Sequence, residues 1–342
     1  MPTIQQDLTG QTFTLKNNQG SEAVVLAWGA TLASLKIKLN SGELRQVVLG
    51  CDSFDDYFKQ NAYLGATVGR YANRINQAKI GFQGEEFILT ANQDMHQLHG
   101  ANDLSHRDWQ GELLADNKVR FTIQSPDGEM GFPGNLQAQL DYTLDDDNQL
   151  VMDYSATVDQ TCPVNLTDHS YFNLNAASST ILQHQLFIAA DQYLPVASDG
   201  IPLDGLHTVA DTSFDFRQSK TIAEDLLKDE HQALVGGYDH SYLLQADVVE
   251  KGKAVARIVA DDQSLAMEVY TDKPAIQLYT GNFLKGNPGH NGEIYQAHSG
   301  VALETQFLPD SPNRPDWPHK SCWLAPGETY RYQTRYRLYQ PS

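Results

Sequence analysis

Cysteine is scarce in this chain. Its 342 residues include three cysteines, Cys51, Cys162 and Cys322, which lie far apart and form no Cys-x-x-Cys pair. An odd number at wide spacing argues against a disulfide framework and against a cysteine zinc site. Reduced thiols of this kind are typical of the cytoplasm, and we therefore expect a cytoplasmic protein.

Positive charge and long apolar runs are also lacking. The chain carries 24 Lys and Arg against 43 Asp and Glu, for a formal net charge of -19. Such a polyanion is repelled by nucleic acids and by anionic membranes, so neither is an expected partner. Residues 1–10 lack the pattern of a signal peptide, and no apolar run approaches the length of a membrane span.

Helical periodicity is rare, and alternation of apolar and polar residues is common. We count about twenty short alternating segments, separated by Gly, Asn, Asp and Pro turns, which is typical of strands. Only residues 54–59 and 221–227 are predicted to be helical. The pattern predicts an all-β fold, a large antiparallel β-sandwich. Because no linker or repeat divides the chain, residues 1–342 are predicted to form a single domain.

Residues 301–307 illustrate the alternation and carry a candidate base. Val301, Leu303 and Thr305 share one face of the predicted strand, and Glu304 lies on the other. Taken alone, such a glutamate is usually on a solvated sheet face. Other residues of the chain give it more significance, because histidines and further polar groups stand at strand ends and loop tips: Asn73, Arg74, His99, His169 and Asp239.

If these residues converge, they can perform acid–base chemistry. One histidine can donate a proton while Glu304 accepts one, and Arg74, Asn73 and Asp239 can bind hydroxyl groups. No nucleophile elbow, P-loop or strand-to-helix Gly-rich fingerprint is present, so neither acyl transfer nor nucleotide binding is indicated.

Three alternatives remain open from these residues alone. The first is a metal site made of His99, His169 and Glu304. The second is a glycoside hydrolase that uses Asp239 and Glu304 as its carboxylate pair. The third is a sugar-binding module without catalytic activity.

Several segments together resemble one known family, the aldose 1-epimerases or galactose mutarotases. They occur in the family's order over nearly the whole chain: Gly65-Ala66-Thr67-Val68-Gly69-Arg70-Tyr71-Ala72-Asn73-Arg74-Ile75, Gln97-Leu98-His99-Gly100, Gly131-Phe132-Pro133-Gly134, Asn165-Leu166-Thr167-Asp168-His169-Ser170-Tyr171-Phe172-Asn173-Leu174, Tyr238-Asp239-His240, Gly281-Asn282-Phe283 and Leu303-Glu304-Thr305-Gln306. One departure is Ala101, where the family commonly has a second glycine after His-Gly.

The resemblance implies a galactose mutarotase-like supersandwich with an open sugar-binding cleft. It also implies an isomerase that interconverts the α and β anomers of free aldoses such as D-galactose and D-glucose. In that family's mechanism Glu304 would be the base and His169 the acid. No metal and no cofactor would be needed, and the protein would be a monomer or a weak homodimer.

The resemblance also implies which residues bind the sugar. His99 and Arg74 would hold the ring oxygen and the anomeric region, and Asp239 would bind hydroxyl groups. Asn73 and Gln277 would be secondary contacts, with Tyr279 offering apolar surface.

A hexose-6-phosphate 1-epimerase is the nearest alternative within related families. It would need a basic pocket for the phosphate, and the sequence offers no cluster of Arg and Lys beyond Arg70 and Arg74. The negative net charge is also unfavourable for a phosphorylated substrate.

Overall fold

A computed structural model describes residues 10–175 and 180–341 of the chain. Residues 1–9 lie outside the described residues. They make up most of the segment 1–10, for which no signal peptide was predicted. Strands dominate the structure, so the all-β prediction is confirmed. The first thirteen strands are β1 (Thr12–Lys16), β2 (Glu22–Leu26), β3 (Thr31–Lys38), β4 (Leu44–Gln46), β5 (Thr67–Val68), β6 (Arg74–Ile75), β7 (Lys79–Phe82), β8 (Glu85–Ile88), β9 (Gln97–Leu98), β10 (Gln110–Ala115), β11 (Lys118–Ser125), β12 (Leu136–Leu144) and β13 (Gln149–Val158).

The second half of the chain contributes shorter strands and then one long one. These strands are β14 (Cys162–Pro163), β15 (Thr167–Asp168), β16 (Tyr171–Phe172), β17 (Gln185–Ile188), β18 (Ala190–Tyr193), β19 (His207–Thr208), β20 (Lys220–Thr221), β21 (Asp239–Leu244), β22 (Ala256–Val259), β23 (Ala266–Thr271), β24 (Ala275–Tyr279), β25 (Val301–Gln306), β26 (Trp323–Leu324) and β27 (Tyr330–Tyr339).

Helices are few and short within the described ranges. They are α1 (Phe54–Lys59), α2 (Glu230–Val235) and α3 (Ala246–Glu250), with 3₁₀ turns at Asn76–Ala78, His99–Asn102, Glu129–Gly131, Ile222–Glu224, His290–Gly292 and Ser311–Asn313. None of them is long and apolar enough to cross a membrane. Helix α1 was predicted, and Ser53 caps it by accepting a hydrogen bond from the Asp56 amide.

The helix predicted at residues 221–227 is wrong. Only the 3₁₀ turn Ile222–Glu224 forms there, and Leu227 has a left-handed backbone with φ +60°, which is incompatible with a continuing helix. Helices α2 and α3 were not predicted. They contain six and five residues, which is too short for helical periodicity to be visible in the sequence.

Two large antiparallel sheets form the sandwich. Nine strands follow the order β10-β11-β12-β13-β27-β23-β22-β17-β20, and six follow the order β16-β25-β24-β21-β18-β19. The two sheets are in direct contact, because the hydroxyls of Thr305 and Thr334 lie 2.5 Å apart and Tyr336 donates to the carbonyl of Leu303 at 3.3 Å. Strands β1 to β4 form a further sheet, and four two-stranded pairs complete the fold.

The largest buried apolar cluster of the described residues extends along the chain from Leu15 to Leu338. It includes residues of the nine-stranded sheet and of the six-stranded sheet. Strand β27 lies in the middle of the larger sheet and pairs with both β13 and β23. This continuity supports the single domain of residues 1–342, which stays a prediction.

The three cysteines are free thiols, as predicted, and all three are buried. Burial raises the pKa of Cys51 and of Cys322 to about 12 and that of Cys162 to about 11. The thiols are therefore poor nucleophiles.

Residues 162–174 do not form one continuous strand. They contain three two-residue strands, β14, β15 and β16, which pair with β26, β5 and β25. Between β15 and β16, the amide of His169 donates to the carbonyl of Ala66, and the amide of Gly65 donates to the carbonyl of His169. The backbone of His169 is thus bonded to a loop instead of a long strand, and this loop fixes its position.

Candidate active site

A cavity of about 450 Å³ brings most of the predicted site residues together. Six of the seven line it: Asn73, Arg74, His99, His169, Asp239 and Glu304. Gln277 is not among its lining residues in the described part of the chain. A larger groove of about 790 Å³ lies over β11 and β12 and contains none of the seven.

His169 and Glu304 form the centre of this cavity. His169 Nε2 lies 3.6 Å from Glu304 Oε1, and both side chains are almost fully buried. The interpretation of Glu304 as a residue on a solvated sheet face is therefore wrong. His169 Nδ1 and Glu304 Oε2 have no hydrogen-bond partner among the described residues. Buried polar atoms without partners are costly, which makes the pair a candidate functional site.

Burial disfavours the charged form of both groups. It raises the pKa of Glu304 well above its ordinary value, an effect that the Asp239 and Asp168 carboxylates increase and Arg74 opposes. It lowers the pKa of His169 to about 4. The pair can hold its proton in two ways: a neutral Glu304 carboxyl beside a neutral His169 imidazole, or a Glu304 carboxylate beside a His169 imidazolium. The number of protons is the same in both. A bound molecule that stabilises the two charges can therefore favour the charged form.

His99 is oriented by the backbone of Asn73. The amide of Asn73 donates to His99 Nδ1 at 3.2 Å. Since a backbone amide can only donate, Nδ1 is the unprotonated nitrogen and Nε2 carries the hydrogen. Burial, with smaller contributions from His169 and Arg74, lowers the pKa of His99 well below its ordinary value. His99 is therefore a neutral hydrogen-bond donor at the cavity.

This tautomer bears on the possible metal site. Ligand atoms of His99, His169 and Glu304 do lie within 4.8 Å of one another. However, His99 Nδ1 is already bonded to Asn73, and Nε2 holds a hydrogen, so His99 has no free lone pair for a metal ion. The three groups are better suited to hydrogen bonds with a polar organic molecule.

Arg74 and Asp239 face each other on another side of the cavity. Arg74 Nη2 lies 3.7 Å from Asp239 Oδ2, and Arg74 Nε donates to Gln93 Oε1 at 2.9 Å. Gly200 gives the guanidinium its space, because a Cβ at that position would lie 2.5 Å from Arg74 Cζ. A fixed cation and carboxylate can together bind neighbouring hydroxyl groups.

Gln277 lies behind Asp239 and holds it in place. Its Nε2 donates to Asp239 Oδ1 at 2.6 Å, and its Oε1 accepts from the hydroxyl of Ser241. Gln306 Nε2 donates in turn to Ser241 Oγ at 3.3 Å. Gln306, Ser241 and Gln277 thus donate hydrogen bonds in series, and the last acceptor is the Asp239 carboxylate. Because a carboxylate can only accept, the side-chain amide of Gln277 has one favourable orientation.

Three tyrosines surround His169. The ring centres of Tyr171, Tyr63 and Tyr279 lie 5.0, 5.9 and 6.4 Å from that of the imidazole. All three line the cavity, as we expected for Tyr279. Tyr63 and Tyr171 were not predicted. Tyr63 lies two residues before the segment that begins at Gly65, and Tyr171 lies two residues after His169; these positions were the available signals.

The loop after His99 accommodates Ala101 in a left-handed backbone conformation. A Cβ at Gly100 would lie 2.0 Å from the carbonyl oxygen of Gly69, so glycine is required there. Ala101 has φ +54°, the left-handed conformation that a glycine would adopt without strain. The alanine therefore costs about 1–2 kcal/mol.

Arg70 is not part of the site. It is fully buried and donates to Ser125 Oγ at 3.0 Å and to the carbonyl of Gly134 at 2.8 Å. It also lies 3.5 Å from Asp103. The Gly131–Gly134 segment thus supplies a carbonyl acceptor for the buried Arg70, which is a structural role.

Known proteins resemble this chain over nearly its whole length. The family model described as aldose 1-epimerase matches residues 11–337. The aldose 1-epimerase of Escherichia coli (strain K12) is 49% identical, with 98% of each chain covered. The galactose mutarotase of Mus musculus is 40% identical over 96% of this chain and 94% of its own length. The crystal structure of a GalM/aldose epimerase homologue from C. elegans has a TM-score of 0.90 at 31% identity and covers 97% of this chain and 100% of its own.

Proposed function

Because the chain belongs to the aldose 1-epimerase family and is an isomerase of free aldoses, we propose that its His169–Glu304 pair opens and closes the sugar ring. The observation that carries this assignment is the 3.6 Å separation of His169 Nε2 and Glu304 Oε1 in a buried cavity. The anomeric hydroxyl oxygen O1 and the ring oxygen O5 are bonded to the same carbon. An acid and a base that act on these two oxygens must therefore be close neighbours.

Glu304 acts as the base and His169 as the acid. Glu304 removes the proton from the O1 hydroxyl while His169 delivers one to O5. The electrons of the O1–H bond form the C1=O1 double bond, and those of the C1–O5 bond go to O5, which becomes a hydroxyl. The aldehyde rotates about C1–C2, and the reverse transfers close the ring on its other face. Each proton returns to its donor, so the pair ends as it began.

The remaining cavity residues hold the sugar. His99, as a neutral donor, hydrogen-bonds the ring oxygen region together with Arg74. Asp239 accepts from sugar hydroxyls with the oxygen that faces the cavity, and Asn73 is a secondary contact. Gln277 acts through Asp239, since its amide is bonded to that carboxylate.

D-galactose and D-glucose are the proposed substrates. Relatives carry the names galactose mutarotase and aldose 1-epimerase, which supports free aldoses. A phosphorylated hexose is disfavoured, because Arg70 is enclosed by the core and Arg74 faces Asp239. The glycoside hydrolase alternative is disfavoured too, since Asp239 is held by Gln277 and Arg74 while His169 lies beside Glu304.

We also propose a cytoplasmic protein that is a monomer or weak homodimer and binds neither nucleic acid nor membranes. Free, buried cysteines support the compartment, and the net charge of -19 argues against nucleic acid and anionic membranes as partners. No metal or cofactor is assigned a role in the mechanism.

Polarimetry of freshly dissolved α-D-galactose tests the function. In a metal-free weak buffer, the optical rotation should reach the same final value as without protein, at a rate that rises in proportion to protein added. A folded protein that leaves the rate unchanged would exclude free galactose as a substrate.

A further inference from the structure

The ring of Tyr63 contacts both histidines of the site. It is nearly parallel to the His169 imidazole, with ring centres 5.9 Å apart and an angle of 27° between the planes. It meets the ring of His99 edge-on at 4.8 Å. The hydroxyl of Tyr63 is already engaged, because it donates to Asn102 Oδ1 at 2.7 Å. Tyr63 therefore presents the face of its ring, not its hydroxyl, to His169.

The backbone at Tyr63 is strained. Its φ of +54° lies in the left-handed region, which costs free energy for every residue with a Cβ and none for glycine. The loop around it is bonded to the acid, since the amide of Gly65 donates to the carbonyl of His169 at 3.1 Å and Tyr171 donates to the carbonyl of Ala62 at 2.9 Å. A tyrosine at a position suited to glycine points to a function of its ring.

We propose that Tyr63 is a positioning residue for the acid: the face of its ring holds the His169 imidazole beside Glu304 and stabilises the imidazolium form. This inference rests on the proposed role of His169. An aromatic face attracts a cation within about 6 Å of its centre, and the attraction is stronger where water is excluded. His169 must carry the proton that it delivers to O5, so stabilising its charged form raises the fraction of active enzyme.

Every charged or titratable neighbour of His169 enters this balance. These groups are Glu304 on β25, Tyr279 on β24, Asp239 on β21, Asp168 on β15, Tyr171 on β16, Arg74 on β6, Lys59 at the end of α1, His99 in the 3₁₀ turn His99–Asn102 and Tyr63 on a loop. Burial lowers the pKa of His169 to about 4, which makes help for the imidazolium necessary. Burial also raises the pKa of Tyr63 to about 12, so that Tyr63 acts as a neutral ring.

The test compares three substitutions of Tyr63, to Asn, Phe and Leu, in the full-length protein. Tyr63→Asn removes the ring while tolerating φ +54°, because asparagine is one of the residues enriched in that region. Tyr63→Phe is the matched control, since it keeps the ring and removes only the hydroxyl. Polarimetry at saturating α-D-galactose gives kcat as a function of pH for each variant.

We expect Tyr63→Asn to shift the alkaline limb of the kcat profile to lower pH by about half a unit. Its loss of kcat should therefore grow with pH, from less than about twofold at the acid end to about threefold or more above the limb. Tyr63→Phe should keep the wild-type profile. Tyr63→Leu should behave like Tyr63→Asn, which shows that the new amide is not responsible.

Several results would overturn the inference. One is that Tyr63→Asn and Tyr63→Leu both give the wild-type kcat profile. Another is that both lower kcat by the same factor at every pH. Another is a Tyr63→Phe variant as impaired as Tyr63→Asn, because the bond to Asn102 would then carry the effect. A fully active His169→Asn variant would instead reject the acid assignment itself. With that variant inactive and Tyr63→Asn normal, only the role of Tyr63 fails.

Discussion

Gln277 lies directly opposite Glu304 in the ladder between β24 and β25, yet its amide donates to Asp239 at 2.6 Å. The side-chain neighbour that could have bonded Glu304 is thus committed elsewhere. Glu304 Oε2 consequently has no hydrogen-bond partner among the described residues. A base that is free of internal hydrogen bonds keeps its full capacity for a substrate proton.

Glu304→Gln should abolish most of the activity. The amide has nearly the same shape but cannot accept the O1 proton, so kcat should fall by roughly a hundred- to ten-thousand-fold. Polarimetry with α-D-galactose measures the loss, and circular dichroism checks the fold. Glu112→Gln, on the exposed strand β10, is the matched control and should keep wild-type activity. Undiminished activity in a folded Glu304→Gln protein would remove Glu304 from the base role.

The same substitution should stabilise the protein at neutral and alkaline pH. Burial raises the folded-state pKa of Glu304, so the folded protein is stabilised by protonation and loses stability as pH rises above the unfolded-state pKa of about 4.5. Glutamine does not titrate. The Tm difference between Glu304→Gln and wild type should be near zero at pH 4 and positive at pH 8, as measured by calorimetry. An equal Tm at pH 8 would contradict the raised pKa.

His169→Asn should lose activity to a similar degree. Asparagine can still donate a hydrogen bond, but it cannot deliver a proton to O5, so a loss of roughly a hundred-fold or more is expected. The exposed His207 offers a control, and His207→Asn should leave the rate of mutarotation unchanged. If imidazole added to the buffer restores part of the activity of His169→Asn, the acid role gains direct support.

Ser241→Ala should weaken sugar binding through Asp239. The change leaves the buried Oε1 of Gln277 without its donor, at a cost of about 1–3 kcal/mol, and allows the amide to turn away from Asp239. KM for galactose should rise several-fold with little change in kcat, whereas Ser241→Thr should keep the wild-type KM.

A double-mutant cycle distinguishes this role from a general loss of stability. In an Asp239→Asn background, Ser241→Ala should have no further effect on KM, because the residue through which it acts has been altered. Additive effects on KM would mean that Ser241 acts by another route.

Glucose 6-phosphate should be a poor substrate. Arg70 is enclosed by Ser125 and the carbonyl of Gly134, and Arg74 is opposed by Asp239, so neither is free to bind a phosphate. Exchange spectroscopy by NMR measures anomer interconversion for glucose and glucose 6-phosphate at equal concentration. We expect kcat/KM for the phosphorylated sugar to be lower by about a hundred-fold or more, because neither arginine can pair with the phosphate charge. Equal rates would favour the phosphate-specific alternative.

The sequence predicted well what repeats along one strand. Alternation identified the two faces of β25, and the predicted helix at residues 54–59 was confirmed as α1. It also allowed Glu304 and His169 to be proposed together, through resemblance and residue chemistry. The strand faces and the helix depend on neighbours in the chain, whereas the pairing of Glu304 with His169 came from the resemblance.

Features that depend on contacts between distant segments were not visible. The short strands of residues 162–174 follow from pairing with three separate partners. The tautomer of His99 is fixed by a bond from Asn73. The role of Gln277 follows from Ser241 on another strand. No local pattern encodes these relationships, because each is set by tertiary packing.

The central place of β27 has a consequence for biosynthesis. Thr334 and Tyr336 of this strand contact Thr305 and Leu303, on the face of β25 opposite to Glu304. While a ribosome is still adding residues 330–339, the larger sheet lacks the strand that joins β13 to β23. A nascent chain therefore cannot gain catalytic activity gradually as it lengthens. We expect activity to emerge only after residue 339 has left the exit tunnel. An arrested chain of about 310 residues would already contain every proposed catalytic group, yet it would have to be protected by chaperones.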